Sequence, residues 1–194
     1  KGVIALDARI RVALASTAGS ARLAIRPYPA ELEETASLNG RSLLLRPIRP
    51  EDETGLVTLI AQCRPEDRHF RFFGAVRELP HSKLGRYTQI DYDREMAFVA
   101  VDSANELLGE VRMVADPDNQ RAEFAVLVRS ELQGKGLGHA LLEKMIRYCR
   151  SRGTGTLFGD VLASNSRMLE LGRSLQFRRC GPASAGIVRI SLQP

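Results

Sequence analysis

Apolar and polar positions follow two different periods along the chain, and each period predicts one type of element. Continuous apolar runs and runs with a period of two predict strands, at residues 42–49, 95–101, 106–115, 121–128, 156–163 and in two short stretches near the C-terminal end. Apolar positions three to four residues apart predict helices, at residues 52–63, 65–74, 80–89, 136–152 and 166–174. This order predicts a mixed α/β fold with an antiparallel front half and a βαβ-like rear half.

The first forty residues have a different pattern. Residues 3–12 alternate like a strand, whereas residues 16–40 mix small residues, two prolines and a short acidic run. Such a mixture is typical of a linker rather than of a core element. The sequence therefore predicts a boundary near Gly40, with an appendage at 1–40 and the main domain at 41–194.

Composition and charge remove several classes of function. The net charge is +5 and no long basic block occurs, so we expect no nucleic-acid partner. No apolar run is long enough to span a bilayer, so we expect no membrane partner either. The three cysteines, Cys63, Cys149 and Cys180, are odd in number and widely spaced. This argues against a disulfide framework and a zinc site. We expect the cysteines to be small core residues and the protein to reside in a reducing cytoplasm.

Three alternating glycines, Gly134, Gly136 and Gly138, lie where an apolar strand is followed by a helix. A helix N-terminus exposes N–H groups that attract anions, and glycines let a phosphate approach them closely. The alternative is a tight turn without a ligand. The spacing does not fit GxxxxGK[ST] or GxGxxG, which excludes the Walker A loop and the dinucleotide fingerprint. Arg129 and Lys135 supply charge nearby, unless they are ordinary surface residues.

The stretch Gln133-Gly-Lys-Gly-Leu-Gly138 has the form Q-x-x-G-x-G and resembles the acetyl-CoA pyrophosphate loop of GNAT N-acetyltransferases. The resemblance covers roughly residues 42–192, with the stretch starting at Asn165 similar to the family's second cofactor segment. It implies the GNAT fold, a mostly antiparallel sheet flanked by helices, and acetyl-CoA as cofactor. It further implies cofactor contacts from the residues Val126, Leu127, Val128, Gln133, Gly134, Lys135, Gly136, Leu137, Gly138, His139 and Asn165.

A narrower resemblance involves residues 66–74, 84–101 and 122–138. They look like bacterial protein lysine acetyltransferases of the Pat type, in which the GNAT domain follows a region similar to NDP-forming acyl-CoA synthetases. This resemblance implies that residues 1–40 are the end of such an upstream ATP-grasp region plus a linker. It also implies that the partners are AMP-forming acyl-CoA synthetases, which are inactivated by acetylation of a lysine.

Glu123 is the candidate catalytic residue. It lies beside the apolar run Phe124–Val128 and matches the catalytic glutamate of the resembled family, which implies a general base. The alternatives are a salt bridge with Arg121 or Arg112, or exposure at the strand end. Asn165 is also a candidate helix N-cap. Many relatives carry a tyrosine general acid where this chain has Leu171-Gly172, so the resemblance supplies no acid here.

Two other functions remain open at this point. The first is a GNAT enzyme that acetylates a small amine, which a deep acidic acceptor pocket would support. The second is a catalytically silent acyl-CoA sensor that regulates a partner, which predicts cofactor binding without turnover. The sequence contains no other catalytic constellation, such as a Ser-His-Asp order.

Overall fold

The computed structural model describes residues 26–74 and 79–194, and within them the main body is one eight-stranded sheet. The predicted strand at 3–12 lies outside the described residues. The strands are β1 (Glu34–Leu38), β2 (Arg41–Pro47), β3 (Glu95–Val101), β4 (Leu107–Ala115), β5 (Arg121–Val128), β6 (Thr156–Leu162), β7 (Arg178–Arg179) and β8 (Ile187–Leu192). Their spatial order is β1-β2-β3-β4-β5-β6-β8-β7, and only the β5–β6 pair is parallel. The predicted mixed, mostly antiparallel α/β fold is confirmed.

Helices cover both faces of this sheet. They are α1 (Glu53–Ala61), α2 (Pro65–Phe72), α3 (His81–Thr88), α4 (Leu137–Ser151) and α5 (Ser166–Ser174). One buried cluster joins α1 and α3 to alternate residues of β3 and to Leu107 of β4. A larger cluster places the apolar stripe of α4, including Leu141, Leu142 and Met145, against the opposite face. The predicted helix ranges agree with these bounds to within a few residues.

The parallel pair β5–β6 separates after three residue pairs. Pairing runs from Arg121 with Thr156 to Glu123 with Phe158, although both strands continue beyond this point. On its other edge β5 stays paired with β4 up to Val128. The sheet therefore opens into a fork, and its vertex lies at Glu123.

The sequence explains why the strands part here. A Cβ at Gly159, the first β6 residue beyond the last pair, would lie 2.8 Å from the ring of Phe124, so only glycine admits that ring. The ring then packs against Phe177, with a centroid separation of 5.0 Å. An isolated glycine in a strand often marks such a close approach. Phe124 therefore occupies the space at the vertex of the fork.

The predicted boundary near Gly40 is not where the sheet begins. Residues 34–38 form the edge strand β1, which pairs with β2 through the turn at Asn39 and Gly40. Both turn residues have positive φ, +50° and +78°, which Asn and Gly tolerate best. The short, polar-looking strand was missed because it lies at an edge, where only Ala36 and Leu38 pack against the core.

We expect a chain starting at Gly40 to be markedly less stable than one starting at Arg26. Without β1, Lys144 loses Glu34, whose carboxylate lies 3.3 Å from its ammonium group. Lys144 also loses the Leu32 carbonyl, to which its ammonium group donates at 2.7 Å. Loss of a half-exposed ion pair and of a charge-assisted hydrogen bond costs on the order of 2 kcal/mol. Thermal denaturation followed by circular dichroism measures the difference, and equal midpoints for the two chains would contradict it.

Candidate active site

A cleft of about 990 Å³ fills the fork between β5 and β6. Its walls are α2 on one side and α5 on the other, and its far end is closed by the glycine loop that precedes α4. The cleft thus brings together parts of the chain that are distant in sequence. These are the parts that carry the candidate residues.

The glycine loop has the free N–H groups that an anion site requires. Gly134 and Gly136 have φ of +73° and +92°, and α4 begins at Leu137 with no side chain capping its first turn. Within residues 26–74 and 79–194, the backbone N–H groups from Gly134 to His139 donate no hydrogen bond to another protein atom. A row of unpaired N–H groups at a helix N-terminus fits the pyrophosphate of acetyl-CoA.

Gly138 leaves open the space that the phosphate would need. Its φ is ordinary, it borders the cleft, and a Cβ there would make ordinary van der Waals contacts with Leu171 at 3.5 Å and Val128 at 3.8 Å. Gly136 is different, because its φ is positive and a Cβ would lie 3.1 Å from Leu38. Gly136 therefore shapes the turn, whereas the bare backbone at Gly138 is accessible from the cleft.

The Gln133 side chain connects the loop to three parts of the protein. Its Oε1 accepts from Arg167 of α5 at 3.0 Å and from Arg64 at 3.4 Å, and its Nε2 donates to the Val128 carbonyl at 3.4 Å. Neither arginine was singled out from the sequence, because the pairing depends on the fold. Gln133 thus lies at the cleft border and holds two guanidinium groups beside the loop.

Asp67 anchors the segment between β5 and the glycine loop. Its carboxylate accepts from Arg64 and from the Ser130 hydroxyl. Burial by itself would raise the pKa of Asp67, but hydrogen bonds from Arg64, Ser130 and Gln133 bring it below its usual range. Asp67 therefore stays ionised at neutral pH and neutralises Arg64.

The predicted β5 contacts divide between its two edges. The Arg129 N–H donates to the Leu108 carbonyl, and the same alternation directs every second residue of β5 toward β4. The backbone N–H and C=O of Val126, and the N–H of Val128, consequently point into the fork. Leu127 belongs to the residues that bond β4, and its side chain packs in the α1–α3 cluster. Leu127 borders the cleft, but its backbone N–H and C=O do not point into the fork, so we expect no backbone hydrogen bond from it to the cofactor.

Three other predicted contributions differ in the structure. The Lys135 side chain does not line the cleft, and its carbonyl accepts from the Asn39 side chain at 3.0 Å. The Leu137 side chain is buried in the core, so its backbone N–H alone faces the loop. The Arg129 guanidinium turns away to Glu106, at 2.9 Å, and to the Leu107 carbonyl. It therefore adds no charge to the anion site.

Glu123 lies at the vertex of the fork and borders the cleft. The expected alternative partners are absent: Arg112 pairs with Glu110 and Glu95, and no salt bridge of Glu123 occurs in the described residues. The residue is exposed, which agrees with the alternative of exposure at the strand end and not with burial beside the apolar run. A solvent-reachable carboxylate without a partner is able to accept a proton.

A second carboxylate, Asp160 of β6, also borders the cleft, but it is already engaged. Both of its oxygens accept from the Arg189 guanidinium at 2.7 Å. That bidentate pair lowers the pKa of Asp160 and, together with the charge of Glu123, raises the pKa of Arg189. Glu123 is therefore the better placed of the two to act as a base.

Aromatic side chains of α2 and its end form the remaining wall near Glu123. Phe70, Phe72 and Phe73 all border the cleft, and Phe73 is 43% exposed. Tyr87 of α3 joins them. A wall of this kind accommodates an aliphatic stem next to the carboxylate.

Asn165 begins α5 as predicted. Its Oδ1 accepts from the Met168 N–H at 3.1 Å, which makes it the N-cap, and it borders the cleft together with His139. The missing tyrosine has a structural counterpart, since a Cβ at Gly172 would lie 2.7 Å from Ile190. No side chain fits there without repacking, and Leu171 supplies no proton.

The three cysteines differ in burial. Cys63 and Cys149 are buried, and burial raises the pKa of each thiol to about 11. Cys180 is exposed, which contradicts the prediction of a core residue; it lies after the edge strand β7 and contacts Ser191 at 2.9 Å. Among the described residues, no cluster of metal-binding side chains occurs. None of their helices is long and apolar enough to cross a membrane.

Comparison with known families decides what this cleft belongs to. The model of the acetyltransferase (GNAT) family matches residues 61–177, which include β5, the glycine loop, α4 and α5. This chain belongs to the GNAT family. It is accordingly an acyltransferase that uses acetyl-CoA, and the GNAT fold implied by the sequence resemblance is confirmed.

Two curated GNAT relatives show different extents of similarity. The chain is 34% identical over 142 residues to "Acetyltransferase PA5475" of Pseudomonas aeruginosa, covering 72% of this chain and 76% of that protein. It is 29% identical over 108 residues to a mycothiol acetyltransferase of Saccharopolyspora erythraea, covering 51% of this chain. The matched part spans 36% of the mycothiol enzyme.

Solved GNAT structures are similar over most of the described chain. The GNAT domain of S. lividans PAT superposes with a TM-score of 0.81 at 27% identity, covering 87% of this chain and 100% of that domain. Spermidine N-acetyltransferase of Vibrio cholerae, in complex with CoA and spermine, gives a TM-score of 0.64 at 19% identity. It covers 78% of this chain and 95% of that one, and shows a shared fold.

Proposed function

We propose that this GNAT domain acetylates the ε-amine of a lysine in a protein, and that its substrates are AMP-forming acyl-CoA synthetases. The observation that carries the proposal is the position of Glu123, exposed and without an ion pair in the described residues, at the vertex of the fork. A lysine on a large protein can reach a base that is placed there. The likeness to the GNAT domain of S. lividans PAT and to Pat-type segments supports this substrate class.

Removal of a proton is the first requirement of this reaction. A lysine has a pKa of about 10.4, so roughly one side chain in a thousand is neutral at pH 7.4, a deficit of about 4 kcal/mol. We propose that Glu123 takes the ammonium proton, directly or through a water. Bound acetyl-CoA would supply a thioester: the neutral amine would form the C–N bond and lose its extra proton to solvent as the C–S bond breaks, and the departing thiolate would take a proton from solvent.

The remaining candidate residues have positioning roles in this proposal. The N–H groups from Gly134 to His139 bind the pyrophosphate, and the open backbone groups of Val126 and Val128 bind the pantetheine arm. The Val126 N–H is also available to an oxygen that gains negative charge during transfer. The sequence resemblance further supports an upstream synthetase-like region in the full-length protein.

A small-amine acetyltransferase is the second candidate. Five carboxylates border the cleft, together with the aromatic wall: Glu66, Asp67, Glu123, Asp160 and Glu170. Such a lining also suits a free cationic amine. The two candidates therefore differ in the size of the acceptor and not in its charge.

Labelled acetyl-CoA separates these possibilities. The protein is incubated with labelled acetyl-CoA and either a cell lysate, a purified AMP-forming acyl-CoA synthetase, or spermidine, and the label is located by mass spectrometry. We expect label on a synthetase lysine and loss of synthetase activity. Label on spermidine alone favours the small-amine enzyme, and tight acetyl-CoA binding without transfer to any acceptor favours the silent sensor.

A further inference from the structure

We propose that Arg167 binds phosphate charge of CoA, acting from α5 across the cleft on the ligand held by the glycine loop. This role of the Arg167 side chain rests on the proposed function, which places CoA in the fork. Arg167 borders the cleft, and its Nη1 donates to Gln133 Oε1 at 3.0 Å. Gln133 directly precedes Gly134, so the guanidinium group lies beside the loop.

The charge of Arg167 is not neutralised within the described part of the chain. Its partner Gln133 is uncharged, and it makes no salt bridge there. Glu170, one turn further along the helix, lies at a spacing that allows a pair, yet none forms. Arg64, the other guanidinium at Gln133, differs because Asp67 neutralises it at 2.9 Å.

The positive charge of Arg167 lies near the N-terminal end of α5, where it destabilises the helix. Arg167 is the second residue of α5, directly after Asn165 and Ser166. The N-terminal end of a helix carries partial positive charge, so a cation there is unfavourable and an anion favourable. A positive side chain at this position, held beside a row of unpaired N–H groups, is stabilised when an anion binds between them. CoA provides such anions.

The test is coenzyme A binding to Arg167→Gln, measured by calorimetric titration. Arg173→Gln is the matched control, because Arg173 is an exposed residue at the other end of the same helix and does not border the cleft. Loss of a charge-assisted hydrogen bond to phosphate corresponds to roughly ten-fold weaker binding. We expect that loss for Arg167→Gln alone, with a weaker salt dependence of CoA binding.

Two further measurements distinguish charge binding from a structural role. Thermal denaturation without ligand should give an unchanged or higher midpoint for Arg167→Gln, since an unfavourable charge has been removed from a helix start. Pantetheine, which lacks all phosphates, should bind the variant and the wild type equally, whereas 3′-dephospho-CoA shows whether the pyrophosphate is the phosphate bound. Arg167→Lys should restore part of the affinity.

Several outcomes overturn the inference. Wild-type CoA affinity in Arg167→Gln removes it, and so does an equal loss for pantetheine, which would indicate a distorted loop instead of a lost charge. If CoA does not bind in the fork at all, Gly138→Val will leave CoA affinity unchanged. In that case the proposed cofactor location fails, and the two failures can be told apart.

Discussion

Replacing Glu123 with glutamine is expected to lower the acetyl-transfer rate by about two to four orders of magnitude at neutral pH, the usual size of a general-base effect. Glutamine keeps the shape of the side chain but cannot accept the proton. Acetyl-CoA affinity should remain at the wild-type value, because Glu123 lies at the vertex of the fork and the glycine loop at its far end. A pH–rate profile on one lysine acceptor, with calorimetric titration of acetyl-CoA, measures both.

Raising the pH should partly restore the rate of Glu123→Gln. The neutral fraction of lysine rises about ten-fold per unit up to its pKa near 10.4, so the variant gains on the wild type in that range. Asp160→Asn is the comparison variant: its carboxylate is held by Arg189, so we expect a much smaller loss. Wild-type activity of Glu123→Gln near pH 7 would show that the base lies elsewhere.

The second large effect is expected at Gly138. Gly138→Val places a branched side chain between the cleft and the unpaired N–H groups, and should weaken acetyl-CoA binding by roughly two orders of magnitude, the loss of two charge-assisted hydrogen bonds. Gly138→Ala should weaken binding less and, because alanine favours helix over glycine by about 1 kcal/mol, leave the fold equally or more stable. A Gly138→Ala protein that is more stable but binds acetyl-CoA more weakly would show that the glycine is needed for the ligand and not for the turn.

Gly85 offers the matched control. It lies inside α3, away from the cleft, and a Cβ there meets only the Gln89 side chain at 3.9 Å. Gly85→Val should therefore leave acetyl-CoA affinity unchanged, as measured by the same titration. Gly136→Val is a poorer test, because its positive φ and its contact with Leu38 affect folding as well. If a folded Gly138→Val protein binds acetyl-CoA normally, the phosphate is held elsewhere.

The sequence predicted elements better than it predicted their environment. β5 and α5 have the predicted bounds, because their apolar pattern and the Asn165 cap are local signals. β1 was missed because an edge strand needs few apolar residues, and its pairing with β2 is visible only in the sheet. Local pattern therefore does not predict an element whose stability comes from a neighbour.

The candidate site shows the same limit. The glycine turn itself was predictable, since alternating glycines at the start of a helix are a local signal, whereas its contact with acetyl-CoA stays a prediction. The contacts of Arg129, Arg167 and Arg189 were not, because each depends on a carboxylate or amide brought near by the fold. Exposure of Glu123 was one of the alternatives that the sequence left open, and only the structure, in which β5 and β6 part at this residue, decides between them.

The edge strand β1 and the turn that follows it contact both the glycine loop and α4. Asn39 donates to the Lys135 carbonyl at one end, and Glu34 pairs with Arg147 at 2.6 Å and with Lys144 at the other. We expect docking of this strand and binding of acetyl-CoA to be thermodynamically linked, and the linkage to be reciprocal. Acetyl-CoA should slow hydrogen exchange in the β1–β2 hairpin. Conversely, tension applied through the chain before Arg26 should weaken the binding of acetyl-CoA.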